Sequence, residues 1–167
     1  MRKKIAITGG HSTPAIALIE EINLYTNWQI FYFGSKYSSL TKEKTKSFEF
    51  EAVKQFKNVQ FIHLTTGKII RTISPDLIIN IFKIFLCFFE SLSALKKIKP
   101  NLIVSFGGYI STPVIVAGWF LHIPSITHEQ TPTIGLANKI NSFFVKKIAI
   151  SFPNTEGNLP QEKTILT

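Results

Sequence analysis

Short β-branched segments alternate with longer segments of helical period along almost the whole chain. The first kind predicts buried strands and the second predicts helices, because apolar residues recur with different periods in the two structures. We predict strands at residues 3–8, 29–33, 59–64, 102–106, 125–127 and 147–150. We predict helices at residues 14–25, 40–56, 75–98, 113–121 and 135–144. Since parallel strands need long crossovers, this order predicts an α/β fold with a Rossmann-like, doubly wound parallel sheet.

The size and cysteine content of the chain limit its organisation. Its 167 residues suffice for one such domain, so we treat residues 1–167 as a single domain. The only cysteine, Cys87, excludes a disulfide framework and multi-cysteine metal sites, and fits a cytoplasmic location. The apolar run at residues 77–89 is too short to span a bilayer and contains Lys83. We therefore predict no transmembrane helix.

The charge and the third predicted helix favour a membrane surface. The net charge is +9, and Arg2 and Arg71 are the only arginines among 19 cations. A lysine-rich surface suits binding to anionic lipid headgroups, and the scarcity of arginine disfavours sequence-specific recognition of nucleic-acid bases. The third helix has an apolar arc of roughly 220°, about twice what one buried stripe needs. Its surplus covers a lipid surface, another helix or a partner, or lies deep in the core. The residues concerned are Ile78, Ile81, Phe82, Phe85, Phe88 and Phe89, followed by Lys96 and Lys97.

Three polar or glycine-rich segments follow predicted strands, where doubly wound sheets bind ligands. They are Thr8-Gly9-Gly10-His11, Gly107-Gly108-Tyr109 and His128-Glu129-Gln130. Paired glycines let the backbone approach a diphosphate, although an ordinary tight turn explains them as well. His11 is a candidate general base toward a sugar hydroxyl, and the third segment places an imidazole, a carboxylate and an amide together.

Other chemistries fit the sequence less well. His11 and His128 lack the companions of a metal site, and His63 and His122 lie in or beside apolar elements, so we expect no metal and no cofactor. A nucleotide-binding oxidoreductase is disfavoured because no G-x-G-x-x-G follows the first strand and no acidic residue ends the second.

These segments resemble the N-terminal domain of the MurG-type N-acetylglucosaminyltransferases of glycosyltransferase family 28. The resemblance also includes Pro14-Ala15 and residues 99–100, 110–113, 123–124, 135–139 and 151–153. It implies the first of the two Rossmann-like domains of a GT-B glycosyltransferase, the half that binds the acceptor. The donor-binding domain is absent from these residues, so we expect it either in a continuation of the polypeptide or in a partner chain.

The resemblance implies a reaction and a partner set. The complete enzyme transfers N-acetylglucosamine from UDP-N-acetylglucosamine to the C4 hydroxyl of lipid I, giving lipid II for peptidoglycan, with inversion and without metal or cofactor. The location is the cytoplasmic face of the plasma membrane, and no nucleic acid is involved. The surplus apolar residues named above, with Lys96 and Lys97, correspond to the membrane-docking patch.

The resemblance also implies roles for individual residues. His11 and Glu129 are the catalytic candidates. The acceptor and its diphosphate are bound by Thr8, Gly9, Gly10, Gly107, Gly108, Tyr109, His128, Gln130 and Asn138.

The sequence departs from the family pattern at three positions. Ala6 and Ile7 replace two glycines of the first loop, and Thr131 replaces the asparagine that usually follows the third segment. The first change puts diphosphate affinity in doubt and the second puts one sugar contact in doubt. The alternative function is a non-catalytic membrane-recruiting subunit of a split glycosyltransferase that acts on another lipid-diphosphate sugar.

Overall fold

Seven strands form one all-parallel sheet in the structure, a computed structural model that describes residues 2–37, 45–65 and 75–167, with no side chains described at 75–79. The strands are β1 (Lys4–Thr8), β2 (Gln29–Gly34), β3 (Val59–His63), β4 (Leu102–Ser105), β5 (Ser125–Glu129), β6 (Lys147–Ile150) and β7 (Thr164–Leu166). The helices are α1 (Ser12–Tyr25), α2 (Phe48–Val53), α3 (Pro75–Ile98), α4 (Ser111–Phe120) and α5 (Leu136–Asn141), with a 3₁₀ turn at Gln161–Lys163. The predicted doubly wound α/β class is confirmed.

The sheet has its switch point between β1 and β4. Its strand order is β3-β2-β1-β4-β5-β6-β7, so the chain first builds outward on one side of β1 and then returns to build on the other. Thr8 pairs with Ser105 at the carboxyl ends of these two central strands. Their following loops therefore leave the sheet side by side, where this class of fold binds ligands.

Side chains of alternating residues in the central strands pack into two apolar cores, one on each face of the sheet. In β1, Ala6 belongs to the core under α3 and α4, whereas Ile5 and Ile7 belong to the core under α1. Phe31 and Tyr32 of β2 divide between the two cores in the same way. This two-sided burial explains why the strands read as continuous apolar runs. It also fixes the direction of each strand end, and hence of the loops that follow.

Three elements differ from their predicted bounds. β5 continues to Glu129, because His128 and Glu129 pair with Ala149 and Ile150 of β6. β7 was not predicted; it is a short edge strand of which most is exposed. The predicted helix at 40–56 lies partly outside the described residues, and its described part is helical only over α2. Ser47 is the N-cap of α2, and its hydroxyl oxygen accepts a hydrogen bond from the amide of residue 50.

Candidate functional site

Two glycine-containing loops touch each other at the switch point. Gly10 follows β1 with φ +120°, and Gly107 and Gly108 follow β4 with φ +81° and +80°. A Cβ atom at Gly10 would lie 2.7 Å from the carbonyl oxygen of Gly107, and one at Gly108 would lie 2.7 Å from the Cα of Gly10. Both the left-handed backbone and this close approach require glycine. The contact holds the first and second loops together.

The third loop joins them through Asn138 of α5, which is 2% exposed. A Cβ at Gly107 would lie 3.0 Å from Nδ2 of Asn138. That nitrogen donates to the carbonyl oxygen of His128 at 3.0 Å and to Oε2 of Glu129 at 2.9 Å, while Oδ1 accepts the Thr127 hydroxyl at 2.6 Å. One buried amide therefore ties the end of β5 to the loop that follows β4.

The three loops surround a cavity of about 490 Å³, a volume usual for small-molecule sites. His11 is exposed on its wall and makes no capping bond to α1. Oε1 of Gln130 is buried and has no hydrogen-bond partner within the described ranges, so it can accept a hydroxyl or amide of a ligand. The predicted site residues that line this cavity are His11, Gly107, Gly108, Tyr109, Glu129, Gln130 and Asn138.

The Glu129 carboxylate organises the loop between β5 and α5. Oε1 accepts the amide of Thr131 at 3.1 Å and its hydroxyl at 2.6 Å. Oε2 accepts the amide of Gly135 at 2.9 Å in addition to the Asn138 side chain. Burial raises the pKa of Glu129, but these hydrogen bonds outweigh it and hold the pKa below its usual value. Both oxygens are thus engaged within the protein, which favours a positioning role for Glu129; its predicted catalytic role stays a prediction.

The Thr131 contacts bear on the departure from the family pattern. The Thr131 hydroxyl oxygen also lies 2.8 Å from the carbonyl oxygen of Thr133, so its one proton can be donated either to Glu129 or to the turn that follows. Threonine at this position therefore supports the loop from within.

His128 does not line the cavity, contrary to the expectation that the His128-Glu129-Gln130 segment surrounds one ligand. Neighbouring residues of a strand point to opposite faces, and β5 extends through both His128 and Glu129. The His128 ring packs edge-on against Phe106, and Nε2 lies 3.0 Å from the Ser151 hydroxyl. Burial lowers the pKa of His128 more than the nearby Glu129 charge raises it. The lowered pKa favours the neutral imidazole. Its predicted role in acceptor binding stays a prediction.

The first predicted segment also differs from expectation in where its amides point. Gly9 donates its amide to the carbonyl oxygen of Phe33 at 2.7 Å, and Gly10 donates to Oε2 of Glu49 at 3.2 Å. Thr8 is fully buried, and its hydroxyl has no partner in the described part of the chain. None of Thr8, Gly9 and Gly10 lines the cavity. Their predicted diphosphate contacts stay a prediction that no contact here supports.

Glu49 is a half-buried residue of this region that the sequence analysis missed. Its carboxylate accepts the amide of Ser35 at 2.8 Å as well as that of Gly10, and lies 3.4 Å from the Tyr32 hydroxyl. Burial raises the pKa of Glu49 more than these bonds lower it. The available signal was Ser47, a good N-cap with acidic residues in the turn that follows, but the helix was predicted to begin at residue 40.

The backbone around the cavity favours an anion. α1 and α4 both begin in loops that border it, and neither helix has an acidic residue in its first turn. The amino end of α4 is therefore not compensated by an acidic side chain of its own first turn, whereas the Glu49 carboxylate accepts the Gly10 amide beside the amino end of α1. Within residues 2–37, 45–65 and 75–167, no group of three or more His, Cys, Asp or Glu side chains is placed to hold a metal ion.

The apolar face of α3 is largely exposed. Phe82, Phe85 and Phe89 are 63%, 59% and 59% exposed, Ile81 is also exposed, and Phe88 is half-buried. The side chain of Ile78 lies outside those described. Lys96 and Lys97 are exposed at the carboxyl end of α3, and Lys96 lies about 21 Å along the helix from Phe82 and within about 40° of it around the axis. In the described part of the chain, no helix is both long and apolar enough to cross a bilayer.

Sequence comparison identifies the family of the chain. Residues 8–150 match the glycosyltransferase family 28 N-terminal domain. Two curated relatives are the UDP-N-acetylglucosamine–N-acetylmuramyl-(pentapeptide) pyrophosphoryl-undecaprenol N-acetylglucosamine transferases of Borreliella burgdorferi and Staphylococcus saprophyticus. Each is 38% identical, over 160 and 164 residues that cover 95% and 96% of this chain. The chain spans only 42% and 43% of the length of these relatives.

Solved structures share the fold. MurG of Acinetobacter baumannii matches with a TM-score of 0.73 at 23% identity, over 99% of this chain and 45% of that one. A UDP-GlcNAc 2-epimerase from Neisseria meningitidis matches with a TM-score of 0.66 at 12% identity, over 98% and 46%. At such identities the structures establish the fold alone, and the family assignment comes from the sequence match over residues 8–150. The chain belongs to glycosyltransferase family 28, whose N-terminal domain it matches.

Proposed function

We propose that this chain is the acceptor-binding half of an N-acetylglucosaminyltransferase. Its acceptor is the N-acetylmuramyl-(pentapeptide) pyrophosphoryl-undecaprenol that the names of the curated relatives specify. UDP-N-acetylglucosamine is then bound by a donor-binding domain or partner chain beyond these residues. The observation that carries this proposal is the meeting of the three loops around one cavity that has His11 and Gln130 on its wall.

The cavity supports each part of that acceptor differently. The amino end of α4, which has no acidic residue in its first turn, favours the diphosphate. The unpaired Oε1 of Gln130 supports a bond from a sugar hydroxyl or a peptide amide. Glu129 and Asn138 hold the loop that carries Gln130 and so position this contact.

His11 is the group best placed to accept a proton. In the proposed reaction the C4 hydroxyl oxygen bonds to C1 of N-acetylglucosamine while the bond from C1 to the UDP oxygen breaks, which inverts C1. The hydroxyl proton passes to the His11 imidazole, and UDP leaves with the bonding electrons. Histidine is the side chain that most often serves as a general base in such proton transfers.

His11→Ala tests the assignment in the presence of a donor-binding domain. We expect the turnover number to fall about 10²- to 10⁴-fold, because a general base contributes that much, while acceptor affinity changes little. His122→Asn is the matched control, since His122 is exposed at the other end of α4 and asparagine tolerates its φ of +56°. If turnover is unchanged in His11→Ala, this chain recruits the acceptor without taking part in the chemistry, as in the alternative function.

The proposal includes peripheral docking to the cytoplasmic face of the membrane through the exposed face of α3. Phe82 and Phe89 insert into the interface, while Lys96 and Lys97 meet anionic headgroups. We expect binding to anionic vesicles that weakens as salt increases, and at least fivefold weaker binding for Phe82→Ser combined with Phe89→Ser, on the order of one kcal/mol for two partly buried rings. Leu24→Ser alters an exposed apolar residue on α1 and is the control. Equal loss in that control would refute α3 as the docking face.

A further inference from the structure

A second, almost wholly apolar groove lies between α3 and α4. Its volume is about 410 Å³. The hydroxyl oxygen of Thr112 lies within this lining, buried and without a hydrogen-bond partner in the described ranges. The lining side chains of the two helices are Ile84, Phe85 and Phe88 of α3 and Thr112, Pro113, Val116 and Phe120 of α4. Such a lining favours hydrocarbon over a charged ligand.

The groove continues from the acceptor cavity. Tyr109 lines both, so the two spaces meet at this one side chain. The loop of Gly107 and Gly108 and the amino end of α4 lie at the same junction. Beyond it, Thr112, Val116 and Phe120 recur every four residues and so form one stripe along α4. The path therefore runs from the acceptor cavity, past the amino end of α4, into an apolar groove.

We infer that this groove binds the isoprene units of the acceptor that adjoin its diphosphate. The inference rests on the proposed function, because it takes the acceptor to be a sugar joined through diphosphate to a polyprenol. The sugar of such a molecule is followed by its diphosphate and then by its hydrocarbon chain. The cavity, the amino end of α4 and the groove follow one another in the same order. One ligand can then contact all three in succession.

The groove differs in task from the docking face of α3. Phe82 and Phe89 do not line the groove and stand exposed, so they can enter the bilayer. The groove instead shields the first isoprene units after the headgroup is lifted from the membrane into the cavity. Without it, that hydrocarbon would be exposed to water while the sugar reacts.

Two soluble acceptor analogues isolate the groove. Both carry the N-acetylmuramoyl diphosphate headgroup; one ends in a methyl ester of the diphosphate and the other in a geranyl ester. Calorimetric titration of the chain without any membrane is expected to show the geranyl analogue binding at least about tenfold more tightly, because several methylene groups leave water. Val116→Trp fills the groove and is expected to reduce that ratio to about twofold or less while leaving the methyl analogue unaffected.

Two further variants keep the test decisive if Val116→Trp fails to fold. Thr112→Val replaces the unpaired buried hydroxyl with a methyl group of similar shape, and is expected to tighten the geranyl analogue alone by a few fold. Phe82→Ala removes an exposed ring outside the groove and is expected to leave both affinities unchanged.

The possible results separate this inference from the proposed function. If the methyl analogue binds and the geranyl group adds nothing, the groove assignment is wrong and the acceptor site stands. If the tighter binding of the geranyl analogue is instead abolished by Phe82→Ala and left intact by the groove variants, the hydrocarbon lies on the exposed face of α3. That result also overturns the groove assignment. If neither analogue binds, both the groove and the acceptor site are refuted.

Discussion

Glu129→Gln tests whether the carboxylate behind the cavity holds the loop between β5 and α5. Each carboxylate oxygen accepts two hydrogen bonds, from the amide and hydroxyl of Thr131 on one side and from Gly135 and Asn138 on the other. Glutamine turns one of these oxygens into a donor. Two bonds are lost if the new NH2 group faces Gly135 and Asn138, and one is lost if it faces Thr131, because the Thr131 hydroxyl can accept from it. At about 1.5 kcal/mol for each bond to a charged group, the free energy of unfolding falls by about 1.5 to 3 kcal/mol.

That loss is large against the 5–15 kcal/mol or so by which a domain is usually stable. Urea unfolding followed by circular dichroism measures it as a lower midpoint at unchanged slope. Glu156→Gln is the matched control, because it makes the same change at an exposed side chain in the neighbouring turn, and it is expected to shift stability by less than about 0.5 kcal/mol.

The pH dependence of the free energy of unfolding tests the same role of Glu129. Because the pKa of Glu129 is lowered in the folded protein, its ionised form contributes stability that is fully present above the usual glutamate pKa of about 4.3. That contribution disappears as the pH falls through the lowered pKa of the folded state. The gap between the wild type and Glu129→Gln should therefore be constant near neutral pH and narrow below about pH 4. A gap under about 0.5 kcal/mol at pH 7, or one that does not narrow in acid, would refute the positioning role.

Three further predictions concern other contacts of the same structure. Gly108→Ala places a Cβ 2.7 Å from the Cα of Gly10 at a φ of +80°, so we expect a loss of about 2 kcal/mol in urea unfolding together with weaker acceptor binding; full retention of both would contradict the loop contact. Glu49 has a raised pKa, so wild-type stability should fall relative to Glu49→Gln as the pH rises from about 4 through that raised pKa, and a parallel pair of pH profiles would disprove its burial. Burial raises the pKa of Cys87 to about 12, so a thiol reagent at pH 8 should label the chain in urea and leave the native chain unlabelled over the same time, a result that rapid native labelling would overturn.

The sequence was sufficient to predict the fold class, and it singled out loops that the structure brings together at the end of the sheet. Continuous apolar strands alternating with helices allow few arrangements, and the glycines after β1 and β4 stand where such a sheet binds ligands. The contact between Gly10 and Gly108 could not be predicted in the same way. It depends on the strand order, which sequence pattern alone leaves open.

The errors came from the ends of elements. Ending β5 at residue 127 made His128 and Glu129 appear as neighbours in one loop, whereas the extended strand sends their side chains to opposite faces. Beginning the second helix at residue 40 likewise hid Glu49, which the Ser47 cap places in a first turn beside Gly10. The ends of strands and helices therefore decide which side chains share a site.

The most direct test of the acceptor site is an amide chemical-shift titration of the isotope-labelled chain. The ligand is the methyl-ester N-acetylmuramoyl diphosphate analogue. We predict saturable shifts at Gly108, Tyr109 and Gln130, with unchanged signals in the separate polar cavity beside Asn158 and Gln161. Shifts confined to Asn158 and Gln161, or no saturable shift around the first cavity, would contradict the assignment of that cavity to the acceptor.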